Sequence, residues 1–156
     1  MKFAKEQKSL SENEFDLDRD KMIIVFDGDI FEEKVQGYDE LISAIEENDI
    51  AAVSNPGFEL FLLLHIDGSY EKYIKGHEDD FLTMVDGKYA CAYNALLEAT
   101  GMNAKKNVNI GNLAENVMIA IKQEKFVNQD IHQIKGKISS NIGLIIEGII
   151  NEEPNI

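Results

Sequence analysis

The sequence lacks the features that mark secreted and membrane-spanning proteins. It contains one cysteine, Cys91, which has no second cysteine with which to form an internal disulfide, so we expect a reducing, intracellular setting. No uninterrupted apolar segment approaches the roughly 20 residues that a transmembrane helix needs. The N-terminus, MKFAKEQKSLSENEF, also lacks the apolar centre of a signal peptide. These absences predict a cytoplasmic protein with no membrane association.

Positive charge is also scarce. The chain has 15 Lys and Arg residues against 29 Asp and Glu residues, a formal net charge of −14. Sequence-independent affinity for nucleic acids comes from basic side chains that displace counterions from phosphates, so the isolated chain is expected to bind DNA or RNA weakly. Chemistry on a nucleic acid would need metal ions at the site or a basic partner.

What is present fits one domain covering residues 1–156. The 156 residues are 44% hydrophobic and 28% charged, and a chain of this length buries most of its unfolded surface in one core. Its parts differ in pattern. Residues 1–21 form a polar lead-in, residues 22–66 hold the apolar runs and the motifs of a core, and residues 67–156 are expected to form a helical layer or appendage.

The core region begins with the stretch MIIVFDGDIF, residues 22–31. Its apolar run, residues 22–26, predicts a buried strand covered on both faces that ends at Asp27-Gly28-Asp29. Residues 30–36 are ambiguous between a loop and a helical turn. Helical spacing then predicts a helix over Tyr38–Glu47, and Ile50–Val53 has the length of a second strand. The two strands are therefore expected to run parallel in a right-handed βαβ unit.

A buried helix is expected after the second strand. Asn55 is a favoured N-cap and Pro56 a favoured first residue, and the following residues to Ile66 are apolar all round. The later candidate helices are Tyr70–Lys75, Phe81–Val85, Lys88–Thr100, Leu113–Phe126 and Ile138–Ile150. The predicted class is α/β, a small parallel sheet with a predominantly helical C-terminal half. Two strands alone do not make a stable sheet, so either a further strand is hidden in the sequence or part of the sheet lies outside it.

Three carboxylates are expected at the carboxyl ends of the two strands. Asp27 and Asp29 follow the first strand and Glu59 lies just after the second, where parallel sheets bind their ligands. Mg²⁺ and Mn²⁺ take carboxylate oxygens of this kind together with water and phosphate oxygens. The alternative is structural: Asp-Gly-Asp is a common turn, and Glu59 suits the N-terminus of a helix. The joint placement of all three favours a metal site.

Three further residues are candidates for an outer layer of this site. Ser54 and Asn55 can present a hydroxyl, an amide and a helix N-terminus to a phosphate, or serve only as capping residues. His65, at the end of the apolar helix, is expected to be buried and hydrogen-bonded, with a role in orienting the site as the alternative to a purely structural one.

The two motifs together resemble the RloB-like family. DLDRDKMIIVFDGDIF is followed by VSNPGFELFLLLH, and the second motif matches the family pattern at Ser54, Asn55, Pro56, Phe58, Glu59, Leu60, Phe61 and His65. The resemblance implies a Toprim fold with an Mg²⁺- or Mn²⁺-dependent nuclease site in which Asp27, Asp29 and Glu59 are catalytic metal ligands. It also implies a bacterial abortive-infection or restriction system, with an ATPase partner encoded nearby.

Toprim domains also carry a Glu after an earlier strand, and residues 1–21 offer no match. Glu6, Glu12 and Glu14 do not follow an apolar run. An N-terminally truncated Toprim domain is therefore expected, and two functions stay open. The chain is either a metal-dependent nuclease domain or a catalytically silent Toprim scaffold that docks a partner ATPase or binds a nucleotide-like ligand.

Overall fold

A computed structural model describes residues 2–10, 14–29, 37–86 and 90–152. The strands in this part of the chain are β1 (Ile23–Asp27), β2 (Ile50–Asn55) and β3 (Ser139–Ser140). The α-helices are α1 (Lys2–Ser9), α2 (Tyr38–Glu46), α3 (Phe58–Leu63), α4 (Glu78–Leu82), α5 (Ala90–Thr100), α6 (Val117–Glu124) and α7 (Ile142–Asn151). A π-helical turn covers Tyr70–Ile74, and a 3₁₀ segment covers Val108–Asn116.

The three strands form one sheet in the order β1-β2-β3. β1 and β2 are parallel, with Val25 beside Ala52 and Asp27 beside Ser54, and α2 connects them. The α/β class, the small and mostly parallel sheet and the βαβ unit are therefore confirmed. β2 extends two residues beyond the predicted Val53, which places Asn55 at its end rather than at the N-cap of the following helix.

The third strand lies inside a segment that the sequence pattern assigned to a helix. Ser139 and Ser140 pair antiparallel with Asn55 and Ser54, and α7 begins only at Ile142. The next residue, Asn141, continues the edge with its side chain: its Oδ1 accepts a hydrogen bond of 2.7 Å from Val53 N, and its Nδ2 donates one of 2.9 Å to Ala51 O. An amide side chain thus satisfies backbone groups that a longer strand would otherwise pair.

The prediction that β1 is covered on both faces is wrong. Within the described residues β1 is an edge strand, with Ile23 40% and Val25 51% exposed. Ile24 and Phe26, on the opposite face, pack against the smaller of two buried clusters. The apolar run reflects one packed face and one largely uncovered face, a difference that composition alone cannot show.

Two apolar clusters sandwich β2. Ala51 and Val53 face the smaller one, which includes Ile42 and Ile45 of α2, and Ala52 faces the larger one. The larger cluster is built by α3, α5, α6, the loops between them and the start of α7, and its most enclosed side chains include Leu60, Leu63, Leu64, Ile74, Phe81 and Leu96. The predicted burial of the helix after the second strand is confirmed. Helices thus cover both faces of the central strand, which keeps its carboxyl end in a fixed place.

The polar lead-in contains a helix that the sequence analysis did not anticipate. Most of α1 is exposed, with Ala4 as its buried residue. Lys8 Nζ lies 2.6 Å from Asp49 Oδ2, and Asp49 Oδ1 also accepts a hydrogen bond of 3.0 Å from Met22 N. The ion pair is shielded, since the Lys8 and Asp49 side chains are 13% and 6% exposed. It holds α1 at the amino end of β2, opposite to the predicted metal site.

Two groups of predicted boundaries need correction. Asn55 and Pro56 do not begin a helix: α3 starts at Phe58, with Gly57 as its N-cap, because Asn55 is still part of β2. In the second half, α4 ends at Leu82 rather than Val85, and α6 begins at Val117 after the 3₁₀ segment rather than at Leu113.

Other expectations concern residues that are not described or a membrane span. The ambiguous segment 30–36 and positions 88–89 of the third candidate helix lie outside the described residues. Among the residues that are described, none of the helices is both long enough and apolar enough to cross a membrane.

Candidate functional site at the carboxyl ends of β1 and β2

The Asp27-Gly28-Asp29 turn is tied to the residues that follow β2. Gly28 N donates a hydrogen bond of 2.8 Å to Ser54 O, and Asp29 N donates one of 3.1 Å to Pro56 O. Both bonds continue the parallel pairing of β1 with β2 past the last strand residue. The two acidic residues predicted from sequence are therefore carried on a backbone that is fixed to the neighbouring strand.

Gly28 has no room for a side chain. A Cβ at this position would lie 2.6 Å from Asn55 Cβ and 2.7 Å from Asn55 Oδ1. Any other residue would push the turn away from β2 and break the hydrogen bonds that hold it. The glycine between the two aspartates thus permits close approach of the turn to Asn55.

Asp27 and Glu59 meet beside Gly57. A Cβ on Gly57 would lie 3.0 Å from Glu59 Oε2 and 3.9 Å from Asp27 Oδ1, so the two carboxylates border the same small space. Asp27 Oδ1 also accepts a hydrogen bond of 2.8 Å from Phe58 N, the first residue of α3. Strand β1 and helix α3 together supply this pair, although Asp27 and Phe58 are 31 residues apart in the sequence.

The electrostatics of the pair favour a cation. Burial raises the pKa of Asp27 above its usual value, and the negative charge of Glu59 raises it further, while the Phe58 N–H and Lys105 act in the opposite direction. A divalent cation between the carboxylates would relieve both the desolvation and the repulsion. Asp27 and Glu59 therefore have the donor chemistry that a hard metal ion requires.

Asp29, the third predicted ligand, lies in the same turn as Asp27, and its backbone N–H is bonded to Pro56 O. Within the described part of the chain, no three or more His, Cys, Asp and Glu side chains are grouped as a ready metal site. The structure thus brings two of the three carboxylates to one point and carries the third on the adjoining turn.

Ser54 and Asn55 are buried and bonded within the protein. Ser54 Oγ donates a hydrogen bond of 2.8 Å to Gly57 O, and Asn55 Nδ2 donates bonds of 2.8 Å to Lys137 O and 3.3 Å to Ile134 O. Their polar groups brace the backbone around Gly57 and attach a distant turn to the end of β2. Both residues act on the geometry of the site through these bonds.

His65 lies at the other end of the α3 region from Glu59. It is 4% exposed, its Nδ1 is 3.0 Å from Phe61 O, and its ring meets the edge of the Phe61 ring at a centroid distance of 4.8 Å. Burial lowers the pKa of the imidazole, which favours the neutral form. The structure therefore shows a buried, hydrogen-bonded histidine that contacts its own helix.

Lysines also lie around this site, and no motif in the sequence marks them. Lys105 is close enough to act on the Asp27 carboxylate, and the turn that holds Lys137 is bonded to Asn55. The available signal was the distribution of charge, because residues 99–114 and 131–146 contain no Asp or Glu in an otherwise acidic chain. Net charge alone conceals such local differences.

These observations define an α/β protein with paired carboxylates at the carboxyl ends of two parallel strands, held by an Asp-Gly-Asp turn and a Ser-Asn-Pro-Gly-Phe-Glu segment. The chain matches the family model described as RloB-like protein over residues 1–149. It therefore belongs to the RloB-like family, and the match covers the helical second half as well as the two motifs. Among curated proteins and solved structures, no match to the chain was found.

Proposed function

We propose that this chain is an Mg²⁺- or Mn²⁺-dependent phosphodiesterase domain of the nuclease type, with a Toprim-like arrangement of Asp27, Asp29 and Glu59 as metal ligands. The observation that carries the proposal is the meeting of Asp27 and Glu59 beside Gly57. The chain's membership of the RloB-like family supports a role in a bacterial phage-defence or abortive-infection system, beside an ATPase partner.

The protein's own contribution to such chemistry is preorganisation. The Phe58 N–H fixes one oxygen of Asp27, and the Ser54 hydroxyl fixes the carbonyl of Gly57, the residue beside which the two acids meet. These bonds hold the carboxylates close together although their charges repel each other. A bound divalent metal would activate a water molecule and stabilise the leaving oxygen of a phosphodiester.

Binding of Mn²⁺ can be tested separately from turnover. A ligand that binds only the folded state raises its stability, so millimolar Mn²⁺ should raise the melting temperature of the parent protein. Asp27→Ala should abolish this shift. Asp67→Ala, at an exposed position beyond the C-terminal end of α3, should retain it. Equal Mn²⁺ shifts in the parent and in Asp27→Ala would refute the metal site.

Cleavage is the second measurement. The same three proteins are incubated with labelled DNA and RNA in Mn²⁺ or Mg²⁺, and products are separated on denaturing gels. We expect cleavage by the parent and by Asp67→Ala and none by Asp27→Ala. Identical cleavage by all three proteins would show that the activity does not come from this site.

The second candidate is a catalytically silent scaffold that docks a partner ATPase or binds a nucleotide-like ligand. It is favoured by the internal bonding of Ser54 and Asn55, whose side chains brace the backbone. A scaffold of this kind should give a thermal shift with a nucleoside triphosphate and Mg²⁺ but no cleavage. Cleavage that depends on Asp27 would exclude it.

A further inference from the structure

Two long segments of this acidic chain carry no negative charge. Residues 99–114 and 131–146 contain no Asp or Glu, although the whole chain has 29. Each segment has two lysines, Lys105 and Lys106 in the first, Lys135 and Lys137 in the second, and all four residues are exposed. Two loops that are far apart in the sequence therefore carry a local net positive charge.

The second of these loops is attached to the candidate site. Asn55 Nδ2 donates to both Ile134 O and Lys137 O, so one buried side chain binds both ends of the turn that contains Lys135. The turn is closed by a hydrogen bond of 3.0 Å from Lys137 N to Ile134 O. Asn55 in turn touches Gly28, the middle residue of the Asp-Gly-Asp turn. Only one residue therefore separates the lysine turn from the acidic turn.

The first loop is ordered by one of its own side chains and held to the core. Asn103 organises it, since Asn103 Oδ1 accepts a hydrogen bond of 3.0 Å from Lys105 N and its carbonyl accepts one from Lys106 N. Ala104 packs against the larger apolar cluster, which anchors the loop to the core. Lys105 is also one of the charges that act on the Asp27 carboxylate, where it opposes the effects of burial and of Glu59.

The opposite end of the sheet carries charges of both signs. Glu46, Asp49 and Asp130 line a cavity at the amino end of β2, where Lys8 pairs with Asp49 and His132 Nε2 lies 3.2 Å from Glu46 Oε2. The two lysine segments differ from this end because neither contains an acidic residue.

We propose that Lys105, Lys106, Lys135 and Lys137 form a basic rim that binds the phosphodiester backbone of a nucleic acid and brings one phosphate to Asp27 and Glu59. This proposal rests on the proposed function, since it assigns the residues that hold the substrate of the same site. Lysines that contact phosphates position the strand without reading its sequence. The rim thus predicts binding that is independent of sequence and strongly dependent on salt.

The test uses two double variants of the rim and a matched control. Lys105→Gln/Lys106→Gln and Lys135→Gln/Lys137→Gln each remove two positive charges, and Lys2→Gln/Lys5→Gln removes two from α1, at the amino end of the sheet. Binding of a fluorescein-labelled single-stranded oligonucleotide is followed by anisotropy over a range of NaCl concentrations in Ca²⁺. DNA and RNA probes of the same sequence, each also as a duplex, show which backbone is preferred.

In a plot of log affinity against log salt concentration, the slope for each rim variant should be about 1.4 less negative than for the parent, because two contacts to a single strand are lost. The control variant should have the parent's slope. Equal slopes for all four proteins, or no measurable binding by the parent, would overturn the proposal. Cleavage in Mn²⁺ is scored separately. Binding that depends on the rim without any cleavage would refute the nuclease and leave the rim standing.

Discussion

The carboxylate of Glu124 offers the sharpest test of how this fold is held together. Glu124 is fully buried at the end of α6 and faces the first turn of α7. Its Oε1 accepts hydrogen bonds from the Ser140 hydroxyl and, at 2.9 Å, from Gly143 N, and its Oε2 accepts bonds of 2.8 Å from Leu144 N and 2.9 Å from Gln129 Nε2. An anion thus caps the N-terminus of α7 from another helix, where the helix dipole stabilises it.

Glu124→Ala would leave these donors inside the protein without their acceptor. An unsatisfied buried donor costs about 1–3 kcal/mol, and partial entry of water reduces the sum, so we expect a loss of about 4 kcal/mol in the free energy of unfolding. For a domain of this size, that corresponds to a fall of about 8–16 °C in melting temperature. Glu124→Gln keeps the shape of the side chain but replaces one acceptor oxygen with a donor NH₂ group. It should lower the free energy of unfolding by about 2 kcal/mol.

The assay is thermal and urea unfolding followed by circular dichroism. Glu147→Ala is the matched control, since Glu147 lies on α7 and forms an ion pair of 2.7 Å with Lys125 in which both side chains are partly exposed. Glu147→Ala should lower the free energy of unfolding by about 1 kcal/mol or less. If Glu124→Ala and Glu147→Ala unfold at the same temperature, the buried carboxylate does not stabilise α7 and the reasoning is wrong.

Three further predictions concern the packing of α7, the acidic pair and α1. Gly143→Ala should destabilise the protein, because its Cβ would lie 2.8 Å from a Glu124 oxygen, whereas Gly148→Ala meets nothing within 4 Å and should stabilise α7 by about 0.5–1 kcal/mol in the same urea titration. Asp27→Asn should raise the melting temperature at pH 7, because a raised pKa means that ionisation of Asp27 opposes folding once the pH exceeds its usual value of 3.8. This advantage should shrink as the pH falls toward 3.8, and an advantage that does not change with pH would contradict the assigned cause. Lys8→Met should cost about 3 kcal/mol by breaking the shielded ion pair that holds α1, measured by urea unfolding beside the exposed control Lys5→Met, and equal stabilities would refute the anchor.

The local sequence was sufficient to predict the βαβ unit and to identify the acidic residues. An apolar run that ends at Asp27, a helical pattern from Tyr38 and a second apolar run from Ile50 all follow rules that operate over a few residues. Because parallel strands end at the same edge of a sheet, the same rules predict that Asp27 and Glu59 lie near each other.

The misassigned elements depended on contacts between distant residues. Ser139 and Ser140 form a strand because they pair with Asn55 and Ser54 of β2, about 85 residues away, although their own sequence continues an apolar helical pattern. Asn55 does not cap a helix because its amide is bonded to Ile134 and Lys137 instead. Local propensity is weaker than several buried hydrogen bonds, so these positions follow the fold.

The sequence by itself therefore determined the class of the fold, the family and the acidic residues, since each depends on a short sequence pattern that does not require knowledge of tertiary packing. Only the tertiary structure decided that Asp27 shares its space with Glu59, that β1 is an edge strand among the described residues and that a lysine turn is bonded to Asn55. These facts depend on which surfaces pack together. Packing is a property of the whole chain, because a contact between distant residues forms only when everything between them is in place.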